Sequence, residues 1–192
     1  MTDDAKNDNY LTGRLLLAMP GMGDPRFHKA VIYLCAHDDK GAMGLVINHI
    51  LPSIDLSQLL EQLNIKPEDN KAPDTPVMSG GPVETARGFV LHGNDFEQSD
   101  TITIDDDFRV TGTIDALRAI AQGEGPDQML FILGYAGWSA GQLDEEIQQN
   151  AWLVIDADSA LIFDTSAETK WDQAIKTIGI DPGMLSGEAG RA

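Results

Sequence analysis

The chain has 192 residues, 42% of them hydrophobic, enough for one domain, or one domain with a small subdomain, around a real core. Thirteen lysines and arginines against 31 aspartates and glutamates leave a formal charge of −18. With the basic residues scattered singly, that balance opposes direct nucleic-acid binding and association with anionic membrane surfaces.

Residues 1–10, MTDDAKNDNY, read as a disordered polar lead without the basic start and apolar run of a signal peptide. Residues 11–192 read as one compact domain. Strands are expected at 15–19 and 30–36, separated by the irregular segment Pro20–Lys29, and at 42–48. Asp38-Asp39-Lys40-Gly41 has hairpin-turn chemistry, so the second and third strands should be antiparallel. Cys35 is the only cysteine, which forbids an intrachain disulfide and suits a reducing cytoplasm. Next to VIYL it reads as a buried strand thiol rather than a nucleophile.

A helix at 55–63 follows, capped by Asp55, with Leu56, Leu59, Leu60 and Leu63 on one face. Loop 64–76, holding Pro67, Pro73 and Pro76, is the candidate subdomain boundary. Strands are expected at 76–79, 87–92, 101–104 and 107–111. A helix from Thr113 should bury Ile114, Leu117, Ile120 and Ala121. Around the short TITI strand, Asp95, Glu97, Asp100, Asp105, Asp106 and Asp107 form a solvated acidic face that lacks calcium-loop spacing. It could also serve as a docking face for a basic protein.

The segment 129–152, MLFILGYAGWSAGQLDEEIQQNAW, carries the most information. Met129–Leu133 reads as a buried strand leading into a turn at Gly134, Gly137 and Gly141. A helix then starts at Ser139 through a capping box with Gln142 and a Trp138–Leu143 staple. Strands at 151–156 and 160–163 follow. A last helix with a Thr165–Glu168 capping box should bury Trp171, Ala174, Ile175 and Ile178. No apolar stretch is long enough to span a bilayer. Hairpins interleaved with helices, without strict alternation, imply an α+β fold. Its sheet should be mixed, largely antiparallel, packed with about four to five α-helices.

Several motifs in order, AMPGMGDPRFHKAVIYLC (18–35), GAMGLVIN (41–48), GGPV (80–83), RGFVLH (87–92), GYAGWSAGQLDEE (134–146) and NAWLV (150–154), resemble the AlgH/YqgE family. This is a bacterial family without an assigned biochemical activity. The resemblance implies an α+β fold with mixed sheet. It also brings the family's label of transcriptional regulator, which came from one member's link to alginate production and implies no DNA-binding site here. Family members usually end in AGHA, whereas this chain ends Ala189-Gly190-Arg191-Ala192, so no role for a terminal histidine carries over.

Three site readings compete. The glycine-rich turn could cradle an anion, but it fits neither GxGxxG nor GxxxxGK[ST], and Asp144, Glu145 and Glu146 already charge the helix start negatively. A hydrolytic pair of Ser79 and His92 would need a base within reach of the nucleophile, and no GxSxG elbow surrounds Ser79. The third reading is a polar pocket built from distant loops: Asp24 and Arg26, Asn48, Gly80 and Gly81 of GGPV, Gly134, Gly137 and Trp138, and Gln142 with Glu145. The same residues could equally be structural corners. The sequence points away from an enzyme, and no metal or cofactor is expected. It favours a cytoplasmic protein that binds a protein or small polar ligand.

Overall fold

The computed structural model describes residues 10–68, 75–112 and 114–185. Residues 1–9 of the lead, 69–74 of the proline loop, Thr113 and the AGRA terminus lie outside the described residues.

Ten strands build one curled sheet: β1 (Arg14–Ala18), β2 (Val31–Asp38), β3 (Gly41–Val46), β4 (Ile50–Asp55), β5 (Pro76–Ser79), β6 (Val83–His92), β7 (Ile102–Thr103), β8 (Arg109–Thr111), β9 (Met129–Ser139) and β10 (Trp152–Asp156). Packed on it among the described residues are α1 (Leu56–Gln62), α2 (Ile114–Ala121), α3 (Gln142–Gln148) and α4 (Lys170–Thr177). The strand order is β10-β1-β2-β3-β9-β6-β8-β7, with β5 beside β9 and β4 beside β5. Every pairing described is antiparallel except β5 with β9. The fold is therefore α+β with a mixed, largely antiparallel sheet, as the sequence implied.

Strands β1 and β2 read as unbroken apolar runs because both of their faces are covered. Leu15, Leu17, Val31 and Tyr33 pack on one face with Trp171, Ala174 and Ile175 of α4. On the other face Leu16, Ala18, Ile32 and Leu34 join Trp138, Leu143 of α3 and Trp152. Farther along, Val77, Val90 and Phe131 meet Leu56 and Leu60 of α1 and Leu117 and Ile120 of α2. The expected hairpin joins Asp38 to Gly41, with Asp38 Oδ1 accepting from Lys40 N–H at 2.8 Å. Cys35 falls where the β2–β3 register shifts, and burial pushes its thiol up to about 12, leaving no thiolate for chemistry at neutral pH. Asp55 caps α1 as expected, in a reciprocal box with Gln58.

Five local expectations are corrected. The supposed turn after Leu133 is strand, since β9 continues for 11 residues to Ser139, and α3 is capped by Gly141 at φ 75° rather than by Ser139. Pairing with β3 along Gly41–Gly44 holds Gly137 extended, overriding its turn preference, while Gly134 keeps a φ of 80° within the strand. The expected strand at 160–163 is a π-helical turn, Ala160–Asp164. Thr165 spends its hydroxyl on Ala160 O, so the Thr165–Glu168 box does not form and α4 starts at Lys170. Ile114 and Ile178, expected in the core, are 41% and 39% exposed. Strand β4 was not anticipated, because Pro52 and Ser53 break its apolar pattern.

Candidate functional site

Segments far apart in sequence meet at a cleft of about 570 Å³. One wall is the loop before β2, with Met22, Asp24, Arg26 and Phe27, and the other is the end of β9 with α3 and the start of β10. Asp24 caps the short helical turn Pro25–Phe27 through Arg26 N–H, and it also grips the Arg26 guanidinium with contacts of 2.7–3.1 Å. This hydrogen bonding holds the Asp24 carboxyl below the usual carboxylate range and raises Arg26, so the two charges cancel locally.

The floor is aromatic. Trp152 meets Trp138 edge-on at 5.9 Å and Phe27 at 5.7 Å. Both indole N–H groups donate to Glu146 Oε2, from Trp138 at 2.7 Å and from Trp152 at 3.3 Å. Gln142, which lines the cleft, accepts through Oε1 from Ser139 N–H and Oγ–H at 3.0 and 3.2 Å. The structure thus brings together Asp24, Arg26, Gly137, Trp138 and Gln142. Glu146, Trp152 and Phe27 also line the cleft but were missed as site residues. A buried indole demands an acceptor, and Glu146 was the signal that could have exposed the pairing.

The remaining candidates sit elsewhere. Asn48 bridges Val31 N–H and Lys29 O, each at 2.8 Å, and so ties the end of β3 to the entry of β2. Glu145 lies on the exposed face of α3, where it accepts from Gln149 at 3.4 Å. Gly80, Gly81 and Gly134 form a place where backbone lies directly on backbone. Gly80 N–H donates to Leu133 O at 2.8 Å, and between Ser79 and Val83 the chain switches from parallel to antiparallel pairing with β9. A Cβ on Gly80 would collide with Gly134 O and one on Gly81 with the Tyr135 carbonyl, while one on Gly134 would lie 2.6 Å from Gly81 O. Close backbone contact explains these three glycines, joined at Gly81 and Gly134 by a positive φ.

Ser79 and His92 do not form a catalytic pair. Each flanks β9, Ser79 opposite Leu133 and His92 opposite Met129, on opposite sides of that strand. Two strand spacings and four residues of rise separate their Cα atoms by roughly 16 Å. His92 is fully buried in a hydrogen-bond relay. Its Nδ1–H donates to Gly93 O at 2.7 Å, and Nε2 shares a hydrogen bond with Thr111 Oγ1, which shares another with Thr101 Oγ1, both at 2.7 Å. Burial pushes His92 below the ordinary imidazole range, so its contribution to stability is present above that range and is lost as pH falls through the folded-state value. His92→Ala should cost roughly 2–4 kcal/mol near neutral pH and remove part of the acid sensitivity of urea unfolding. An unchanged pH profile would dismiss the relay as a source of that sensitivity. Among the described residues no three His, Cys, Asp or Glu side chains gather to hold a metal ion, and no helix is long and apolar enough to cross a membrane.

The AlgH-like family model matches residues 15–183. The chain is 55% identical over 190 residues to a UPF0301 protein of Bradyrhizobium diazoefficiens, covering 95% of this chain and 89% of that one. It is 51% identical over 187 residues to a UPF0301 protein of Rhodospirillum rubrum, covering 97% of each. The solution structure of the AlgH protein from Pseudomonas aeruginosa superposes with a TM-score of 0.75 at 39% identity, covering 100% of both chains. A Corynebacterium diphtheriae crystal structure, at 16% identity, TM-score 0.67 and coverage of 90% and 88%, shares the fold alone. Sequence, family model and structural neighbour agree across the same span, and the chain belongs to the AlgH family.

Proposed function

We propose that this AlgH-family protein is a non-catalytic, cytoplasmic binding protein that recognises a protein segment or small polar ligand in the Trp138–Trp152 cleft and influences regulation indirectly. The observation that supports this reading is the convergence of five candidates from distant motifs on one cleft with an aromatic floor and a polar rim. The groups there are arranged for recognition rather than reaction. Asp24 and Arg26 neutralise each other, Glu146 is held by two indoles, and the pairing once considered for hydrolysis is dispersed. A formal charge of −18 argues against a direct DNA-binding regulator.

A photo-cross-linking amino acid placed at Gln149, on the cleft rim, tests the reading in living cells. Gln149 should yield a discrete cross-linked species that Arg26→Ala combined with Gln142→Ala reduces severalfold, while the same probe at Glu124, outside the cleft, should not. Equal cross-linking from both positions, or none from Gln149, would overturn the proposal.

A further inference from the structure

We infer that the end of β9 at Gly137 is a docking strand for an extended, basic peptide segment of another protein. The inference rests on the cleft being a recognition site and names what it recognises. Along 136–139 one side of β9 is paired with β3, whereas on the other side pairing with β6 stops at Val83 opposite Tyr135, and the residue before it, Pro82, has no N–H to give. Ser139 N–H turns away from β3 to Gln142 Oε1. Strand backbone alternates with a period of two, so Gly137 aims its N–H and C=O toward that same side. No strand among the described residues pairs with this edge, and Gly137 is exposed in the cleft. Edges of this kind accept an added strand.

The glycine itself supports the inference. Gly80, Gly81 and Gly134 are demanded by backbone contact, but a Cβ at Gly137 would meet only Tyr135 Cε2 at an ordinary 3.7 Å, and its φ is not positive. Packing does not require glycine there. A bare edge that another backbone can approach closely does.

Charge selects the occupant. Asp24 and Arg26 cancel, which leaves Glu146 as the unneutralised charge lining the cleft, on a chain already at −18. Arginine or lysine side chains on an added strand would lie near this carboxylate and over the Trp138 and Trp152 rings.

The test uses the full chain, labelled with nitrogen-15, and a blocked ten-residue peptide alternating arginine and valine. A second peptide of the same sequence, methylated at every backbone nitrogen, keeps the charges and loses the donors. The first peptide should shift the Gly137 and Ser139 amides and slow Gly137 hydrogen exchange at least tenfold, and the methylated peptide should bind at least tenfold more weakly. Gly137→Pro, which deletes the donor, should give a similar loss. If that variant does not fold, Gly137→Val, whose Cβ has room, should block the approach instead.

Equal shifts of the Trp138 and Trp152 indole signals by both peptides, with Gly137 unmoved, would overturn the docking strand while leaving the recognition role standing. Silence from both peptides at millimolar concentration would overturn the strand and leave the recognition role to the cross-linking result. A Gly137 amide already protected in the free monomer, or a concentration-dependent dimer that protects it, would show the edge occupied and overturn the inference as well.

Discussion

Gly81→Ala is expected to lower stability by roughly 3–5 kcal/mol, combining a disfavoured backbone conformation with overpacking. Gly81 holds φ at 150°, and its added Cβ would strike the Tyr135 carbonyl, which is backbone and has no rotamer through which to yield. In a chain of this size that loss corresponds to a fall in melting temperature of roughly 10 °C. Gly21→Ala is the matched control, since Gly21 has ordinary φ and open space around it, and its effect should stay within about 0.5 kcal/mol. Urea unfolding of the two variants checks the pair. A Gly81→Ala protein within about 1 kcal/mol of the parent would mean that the crossing relaxes easily and that packing does not explain the glycines.

The second large effect belongs to Lys170. The residue is 1% exposed, and its ammonium donates to Ile162 O at 2.7 Å and Ile47 O at 3.3 Å, two carbonyls in place of a carboxylate. Burial lowers it to about 8 from an ordinary 10.5. The folded state therefore resists the charge, and the unfolded chain holds more protons between those values. Below the folded value the cost is fully present, about 3 kcal/mol at 1.36 kcal/mol per unit, and it is relieved as pH rises toward the unfolded value. Urea unfolding should show the protein gaining roughly 2 kcal/mol between about pH 7.5 and pH 10. Lys170→Met should flatten that rise. The window closes at the upper end because Tyr33, whose buried hydroxyl has no hydrogen-bond partner among the described residues, is pushed upward by burial and pulls stability the other way once tyrosines ionise in the unfolded chain. A stability that is flat or falling across the window in the parent protein would show that Lys170 reaches water when charged.

The mechanism and the fold meet at β9. Its first half is a central strand between β5 and β6, sealed by Phe131 and Ile132. Its second half keeps one partner and presents the other side to the cleft. The change occurs where Gly80 and Gly81 lie against Gly134 and Tyr135. The motif with the most glycines is therefore the structural device that frees the neighbouring edge, and Gly137, which neither backbone contact nor positive φ requires to be glycine, stands on that edge.

The sequence by itself determined what depends on local periodicity, composition and turn chemistry. The apolar runs of β1 and β2, the hairpin at Asp38–Gly41, the Asp55 cap of α1, the α+β class and the family were legible because each is written within a few neighbouring residues. Tertiary structure alone decided the rest. Gly137 is strand because β3 holds it extended, Gly134 stays within β9 at a φ of 80° against the GGPV segment, and no local propensity encodes a partner more than forty residues away. Lys170 is buried because the carbonyls of Ile47 and the π-helical turn reward a donor at the start of α4, and Ile178, expected in the core, is the exposed cap residue at its other end. Asp24, Arg26, Trp138 and Gln142 were nameable one by one, but only the curl of the sheet brings them to one cleft and sends Asn48, Glu145 and the Ser79–His92 pair elsewhere. A site is a set of distances, and distances between remote residues are set by packing rather than by pattern.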